Sequence, residues 1–330
     1  MASHVELLAT GDLGPCRNDP ASIFAHVRDR LHRADIVLGQ LEPVLTTRGS
    51  PLPQARLAMR STPDTATAIR DAGFDVISFA SNHCMEWGVD GFADTLSALR
   101  DSQLAVVGAG ENISAARKPV IKTVGDTRIA IVARNSILPM GYWAETNRPG
   151  CAPMRAWTIQ EQIEHDQPGT PSGVHTFANR DDLQMLTEDI RTAKSQADVV
   201  ILSIHWGIHF VPYVIADYQR EVAHAGIDAG ADVVIGHHQH ILKGIETYRG
   251  KVIFHGLGNF AIDPPTAFDK NLRSKRSHKE IAALNQNWEE DGDHIVLRDS
   301  AMAIAVRCEI ECKQLRRVGA LPVHINKESQ

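Results

Sequence analysis

Short apolar runs recur along the chain, and most of them end on a polar residue. They lie at 5–9, 36–41, 74–80, 104–107, 128–132, 199–204 and 231–235. Each run is too short for a buried helix, and turn-forming or polar residues bound most of them. The pattern therefore predicts a series of buried strands, several of which deliver a polar side chain at their carboxyl end.

Segments with helical spacing of apolar residues separate these runs. The spacing predicts helices at about 20–31, 62–69, 90–99, 181–197 and 217–229. Residues 245–254, with Arg249-Gly250 in the middle, predict a β-hairpin, and a final strand is expected at 301–310. Strands that alternate with helices indicate an α/β fold.

Two segments interrupt this alternation. Residues 135–180 contain repeated prolines together with Trp143 and Trp157, and they form either a folded lid or substrate wall, or a surface excursion. Residues 264–295 are polar and predict a partly helical insertion, and the tail from about 327 is expected to fray. Without a recognisable linker, we expect residues 1–330 to form a single domain with these two insertions.

The polar residues at the strand ends are of the kinds that bind metals. They are Asp12, Glu42, Asn82, His83, His205, His237, His238 and His240. Neutral imidazole is the commonest metal ligand, and the carboxyl ends of parallel strands are the usual position for active-site groups. Carboxylate, amide and imidazole donors suit Mn, Fe or Zn, and a carboxylate such as Glu42 could bridge two ions about 3.5–4 Å apart.

Composition and charge argue against several classes of protein. The 330 residues are 43% hydrophobic and 22% charged, with a net charge of -6 and one short basic stretch at 270–279, so no nucleic-acid partner is expected. Five cysteines without a CxxC pair predict reduced thiols, with Cys308 and Cys312 packed in the core and Cys84 structural. No apolar run reaches ~18 residues and the start resembles no signal peptide, so we expect no membrane partner and a cytoplasmic protein.

The strand-end constellation resembles the calcineurin-like metallophosphoesterase superfamily, and most closely its CapA branch, the poly-gamma-glutamate capsule-synthesis family. The matching stretches span residues 10–260 and are Thr10-Gly11-Asp12, Gln40-Leu41-Glu42, Ala80-Ser81-Asn82-His83, His205-Trp206-Gly207, 227–240 and Gly256-Leu257-Gly258-Asn259-Phe260. The resemblance implies a four-layer α-β-β-α sandwich with one or two divalent ions, Mn, Zn or Fe, at one rim.

The resemblance also implies a role for each matching residue. Asp12 would bind the first ion, Glu42 would bridge both ions, and Asn82 and His205 would bind the second. His238 and His240 would give one imidazole to each ion, with the choice between His237 and His238 left open. His83 would be the catalytic acid, and Asp12 is a second catalytic candidate.

Two departures from the superfamily pattern change this expectation. Phosphatases of this type carry aspartate-x-histidine on the first strand, whereas this chain has Asp12-Leu13-Gly14, and Glu42 replaces the usual second aspartate. We therefore expect one firm metal and one weak or absent one. His209 could supply the missing ligand, or it could be a plain surface residue.

The weakened first-ion position makes phosphoester hydrolysis less expected, and the resemblance to CapA-type proteins, which are tied to gamma-glutamyl polymers, implies amide or carboxylate substrates. We expect a metal-dependent hydrolase that acts on an amide, peptide-like or gamma-glutamyl small molecule. The alternatives are a phosphoesterase, a peptide epimerase and a non-catalytic capsule-biosynthesis component. Arg56, Arg60, Arg155 and His209 are candidate substrate-binding residues, and His294 could face Asp12 or His83 across a substrate carbon. The sequence allows a homo-oligomer.

Overall fold

Two large mixed β-sheets lie face to face in the computed structural model. The structure describes residues 4–326 except positions 56 and 168 and the ranges 265–270, 272–273 and 285–297. The strands, numbered along the chain, are β1 (His4–Gly14), β2 (Ile36–Leu41), β3 (Val44–Leu45), β4 (Arg60–Ser61), β5 (Val76–Ser78), β6 (Ala105–Val107), β7 (Ala109–Gly110), β8 (Val120–Val124), β9 (Thr127–Asn135), β10 (Gly150–Cys151), β11 (Ala156–Glu161), β12 (Gly173–Ala178), β13 (Val199–His205), β14 (Val233–His237), β15 (Ile245–Tyr248), β16 (Lys251–Phe254), β17 (Asn259–Ile262), β18 (Met302–Glu311) and β19 (Gln314–His324).

Helices connect many of these strands. They are α1 (Arg28–Leu31), α2 (Thr65–Ala72), α3 (Gly88–Asp101), α4 (Ile113–Arg117), α5 (Arg180–Gln196), α6 (Asp217–Ala229) and α7 (Arg276–Ala283). Asn112 and Asn179 cap the amino ends of α4 and α5, and their side chains accept hydrogen bonds from the backbone of the first turn. Helix α2 ends at Gly73, which has a φ of 113°.

The first sheet has the strand order β19-β18-β1-β2-β5-β6, and β17 pairs with the end of β1. Strands β1, β2, β5 and β6 are parallel, whereas β18 is antiparallel to β1. The second sheet has the order β15-β16-β14-β13-β9-β8, with a parallel centre and antiparallel edges. The parallel strands in the centre of each sheet place their carboxyl ends at a common edge.

The core is layered because neighbouring strand residues point to opposite faces. Leu7 packs between the two sheets, whereas the adjacent Leu8 packs under α2 and α3 on the outer face. In the second sheet Ile201 points to the other sheet, and Leu202 points to α5 and α6. The layers are therefore helix, sheet, sheet and helix, which confirms the predicted α-β-β-α sandwich.

The described elements confirm most of the sequence expectations and correct several. Helix α6 has the predicted bounds, and the hairpin of β15 and β16 is present. Strand β1 continues through Asp12 to Gly14, where a loop was expected. The segment after Pro20 forms a short 3-10 helix followed by α1 rather than one helix. The strand near 301–310 is not the last, because β19 follows it.

The first insertion is folded. Strands β11 and β12 form an antiparallel hairpin within residues 135–180, and Trp157 on this hairpin is 61% exposed. In the second insertion the described residues include α7, and the remaining part lies outside the described residues, as does the tail from 327. No helix in the described part of the chain combines the length and apolar character that a membrane span requires.

Cys312 does not share the core position that was expected for it. Cys308 is buried between the sheets, whereas Cys312 is exposed in the turn after β18 and has a φ of 51°. The two residues do not lie on one face because the strand ends at Glu311, before Cys312.

Candidate metal centre

The strand-end residues meet at one edge of the sandwich. Asp12 lies in β1, Glu42 follows β2, and Asn82 and His83 follow β5. His205 and His237 end β13 and β14, and they are register partners in the second sheet. The site therefore forms where the carboxyl ends of strands from both sheets converge.

Asp12, Glu42 and His205 form the centre of this cluster. One ligand atom from each lies within 4.8 Å of the others, and all three residues are fully buried. His205 Nδ1 lies 3.5 Å from Glu42 Oε1, and neither atom has a hydrogen-bond partner among the described residues. Two buried, unpaired atoms that face each other require a cation or a proton between them, so this triad could hold a metal ion.

Two further imidazoles lie against Asp12. His237 Nδ1 is 3.2 Å from Asp12 Oδ1 without the alignment of a hydrogen bond, and both atoms are buried and unpaired in the described structure. His240 Nδ1 is 3.3 Å from Asp12 Oδ2, and the His238 backbone N–H donates to the same oxygen at 3.2 Å. The Asp12 carboxylate is thus surrounded by the histidine loop, residues 237–240.

Asn82 and His238 lie on the other side of the cluster. His205 Nε2 donates to Asn82 Oδ1 at 2.7 Å, which leaves Nδ1 as the nitrogen that faces Glu42. The rings of His205 and His238 have centroids 4.9 Å apart. His209 also reaches the cluster, since its ring stacks on His238 with a centroid distance of 4.8 Å.

The histidine loop has an unusual backbone. His238 has a φ of 93° and His240 a φ of 54°, both in the left-handed region that disfavours side chains. Such conformations cost about 1–3 kcal/mol each and concentrate at functional sites. His240 Nδ1 donates to Asn259 Oδ1 at 2.6 Å, which holds the ring in place.

A carboxylate that sequence reasoning did not single out lies against His83, without the alignment of a hydrogen bond. His83 Nδ1 lies 2.8 Å from Glu86 Oε1, and its Nε2 lies 3.7 Å from Glu42 Oε2. Glu86 is 5% exposed and also accepts from the Met59 backbone N–H at 2.8 Å. The signal was the spacing His83-x-x-Glu86, which places both side chains in one turn. Ser81 Oγ donates to Glu42 Oε2 at 3.1 Å and fixes the other carboxylate.

An apolar side chain covers the position of the missing first-strand ligand. Gly14 pairs with Ile262 of β17, and a Cβ at Gly14 would lie 2.4 Å from Ile262 Cγ1. Any larger residue at position 14 would collide with this side chain. The close approach of β17 therefore excludes a histidine here.

Of the candidate substrate-binding arginines, Arg60 lies near the His83 turn, whereas Arg155 is paired elsewhere. Arg60 lies over the Trp87 ring, 4.0 Å from its centroid, next to Met59 and so close to the Glu86–His83 pair. Arg155 instead makes two side-chain hydrogen bonds to the buried Asp182, at 2.7 and 2.8 Å, so its guanidinium is already occupied. Arg56 and His294 lie outside the described residues.

Burial favours the neutral form of His205 and His238, which is the form that binds a metal. Burial lowers the pKa of His205 well below its usual value and lowers the pKa of His238 to about 3, and neighbouring histidines add to both effects. Burial, followed by the charge of Asp12, raises the pKa of Glu42 to about 8. Burial opposes ionisation of Asp12, but the adjacent His237 and His240 outweigh it and lower the Asp12 pKa. An added cation would allow both carboxylates to be charged together.

The four layers, with the cluster at one rim, form the sandwich expected of the calcineurin-like metallophosphoesterase fold. The chain belongs to the family described as bacterial capsule synthesis protein PGA_cap, whose sequence model matches residues 5–264. This membership confirms the CapA-type resemblance.

Three known proteins give the extent of this similarity. The chain is 32% identical over 244 residues to the PGA biosynthesis protein CapA of Bacillus subtilis (strain 168), covering 73% of this chain and 57% of that protein. It is 32% identical over 233 residues to the probable polyglutamine synthesis accessory protein MT0602 of Mycobacterium tuberculosis, covering 69% of this chain and 56% of that protein. The chain thus spans just over half the length of these relatives.

The third is a solved structure, which supports the fold. The crystal structure of a hypothetical protein from Thermus thermophilus matches with a TM-score of 0.53 and 14% identity, covering 97% of this chain and 99% of that one. At this identity the likeness concerns the fold alone.

Proposed function

We propose that this chain is a metal-dependent hydrolase that cleaves an amide bond in a gamma-glutamyl or peptide-like molecule. One observation carries the proposal: the buried, unpaired atoms Asp12 Oδ1, Glu42 Oε1, His205 Nδ1 and His237 Nδ1 converge at the sheet edge. Leaving four such atoms unpaired would be costly, and divalent cations would satisfy them.

The donors divide into two groups around Glu42. Asp12, His237 and His240 lie on one side, and Asn82, His205 and His238 lie on the other. In this arrangement His237 would take over from the histidine that Gly14 replaces, and His238 would serve the other ion. Glu42 would bridge the two ions.

Bound divalent ions would supply Lewis-acid polarisation of a substrate oxygen and would lower the pKa of a water. The residues of this chain would position the substrate and move the proton. His83 Nε2 lies 3.7 Å from Glu42 Oε2, and Nδ1 lies 2.8 Å from Glu86 Oε1. In the imidazolium form His83 would pair with Glu86 through Nδ1 and would offer its Nε2 proton to the leaving nitrogen of an amide.

The names of the relatives support the substrate class. The Bacillus subtilis protein is named for PGA biosynthesis, and the Mycobacterium tuberculosis protein for polyglutamine synthesis. Arg60, stacked on Trp87 beside the His83 turn, would pair with a carboxylate of such a substrate, since no carboxylate of the described residues pairs with it.

A phosphoester is the second candidate substrate. The two-sided donor set favours it, because two ions that share a bridging carboxylate can clamp both oxygens of an in-line displacement. The same His83 would then protonate an alkoxide leaving group rather than an amine.

Turnover assays distinguish these proposals. Gamma-glutamyl-p-nitroanilide, a poly-gamma-glutamate oligomer and bis-p-nitrophenyl phosphate are supplied in turn to protein loaded with Mn, Zn or Fe. We expect cleavage of the two amide substrates. The rate of cleavage should be about 10²–10⁴-fold lower in His83→Ala. His175→Ala is the matched control, because His175 is exposed on the distant hairpin and pairs with Glu161. Turnover of the phosphodiester alone would favour the second candidate, and no turnover of any substrate would contradict both.

A further inference from the structure

Two cysteines are in direct contact beneath the candidate metal centre. Cys84 Sγ lies 3.0 Å from Cys151 Sγ, and both residues are fully buried. The other three cysteines, Cys16, Cys308 and Cys312, make no such contact in the described structure. All five cysteines are free in the structure, as the sequence predicted, but Cys84 and Cys151 touch each other.

The pair joins two segments that are remote in sequence. Cys84 directly follows His83, and its backbone N–H donates to Ser81 O. Cys151 lies in β10, where its N–H donates to Tyr142 O and its carbonyl accepts from Ala144 N. Cys151 Sγ also lies 3.5 Å from Phe79 O and 3.6 Å from Ser81 O. The first insertion is therefore held against the turn that carries His83.

We propose that Cys84 and Cys151 form a disulfide that fixes this part of the first insertion to the His83 turn. A disulfide requires sulfurs that can approach to ~2.04 Å from side chains that already point at each other. The sulfur contact meets the second condition, and a shift of about 1 Å meets the first.

The oxidant is a small disulfide such as oxidised glutathione. One thiolate attacks its sulfur and releases one reduced thiol, and the other cysteine then displaces the second thiol from the mixed disulfide. The two cysteine thiols lose two protons and two electrons, and the small disulfide gains them as two thiols. Because both sulfurs are buried, this exchange takes place as the chain folds, and the folded protein then shields the bond from reduction.

The linkage constrains the site mechanically. It closes a loop of the chain from residue 84 to residue 151, and cross-links across long loops restrict the unfolded chain most. It also prevents separation of the turn bearing His83 from the neighbouring backbone. His83 thereby gains a second restraint besides its contact with Glu86.

Refolding in a defined redox buffer tests the proposal. The full chain is unfolded with reductant and refolded with reduced and oxidised glutathione. Free thiols are then counted under denaturing conditions, and peptides are mapped by mass spectrometry. We expect three free thiols, a mass about 2 Da below the reduced chain, and one linked peptide that joins Cys84 to Cys151.

Variants make the outcome specific. Cys84→Ser should retain four free thiols with no mass loss, whereas the control Cys308→Ser, which removes a buried cysteine outside the pair, should still form the link. Reduction of the wild type should lower its thermal midpoint by roughly 5–10 °C, with no shift in Cys84→Ser. Five free thiols after oxidative refolding, or a link between any other pair, would overturn the proposal.

Discussion

His237 Nδ1 lies 3.2 Å from Asp12 Oδ1 at the carboxyl ends of β14 and β1, and both atoms are buried without a hydrogen-bond partner in the described structure. At Gly14, Ile262 occupies the space that a side chain would need. We propose that His237, from the other sheet, would supply the ligand that position 14 lacks.

His237→Ala should therefore lower the metal content of the protein from about two ions to about one per chain. The remaining ion would be held by Glu42, Asn82, His205 and His238, on the side that the substitution leaves intact. Elemental analysis of protein purified without chelator measures the ratio, with His175→Ala as the control. An unchanged ratio would mean that His237 is not a ligand.

Glu86→Gln should reduce kcat about 10–100-fold while leaving metal content unchanged. The carboxylate lies 2.8 Å from His83 Nδ1 but outside the ligand set, so its loss should affect proton transfer rather than metal binding. Steady-state kinetics with parallel elemental analysis checks this. A loss of metal together with activity would instead place Glu86 in the structural support of the centre.

Metal affinity should increase with pH up to about 8. Burial and the charge of Asp12 raise the pKa of Glu42 to about 8, so at pH 7 without a cation this carboxyl holds a proton. Metal binding must displace that proton, so the apparent affinity falls about tenfold for each pH unit below 8 and levels off above it. Burial lowers the pKa values of His205 and His238, so these two ligands are already neutral and release no proton in this range.

Titration calorimetry at pH 7 in buffers of different ionisation enthalpy counts the protons released. We expect about one proton per bridged pair of ions, and none from Glu42→Gln. An affinity that stays constant between pH 6 and 8 would contradict this role of Glu42.

Arg155→Ala and Arg60→Ala should have opposite effects. Loss of Arg155 leaves the buried Asp182 carboxylate without its partner and should reduce the free energy of unfolding by about 2 kcal/mol, with KM unchanged. Loss of Arg60 should raise KM for a carboxylate-bearing substrate about tenfold without changing the unfolding free energy. Denaturant titration and steady-state kinetics on both variants check this. A raised KM in Arg155→Ala, or a lower free energy of unfolding in Arg60→Ala, would contradict the two assignments.

The residues that gather at the sheet edge were predictable from the sequence, whereas their contacts with remote segments were not. Strand ends were recognisable because buried parallel strands are continuous apolar runs, so the residues from Asp12 to His240 could be collected from the pattern alone. Strand β19 was missed because it lies at the edge of the first sheet and none of its residues is fully buried. The roles of Ile262 and Cys151 depend on contacts between remote segments, which no local pattern encodes.

Anomalous diffraction from crystals of protein purified without chelator tests the metal centre most directly. Data collected on either side of the Mn, Fe and Zn absorption edges should give a peak bounded by Asp12, Glu42 and His205. A second peak should lie about 3.5–4 Å away on the His237 side. An absence of metal density in this cluster, in protein whose turnover is unchanged by chelators, would contradict the account.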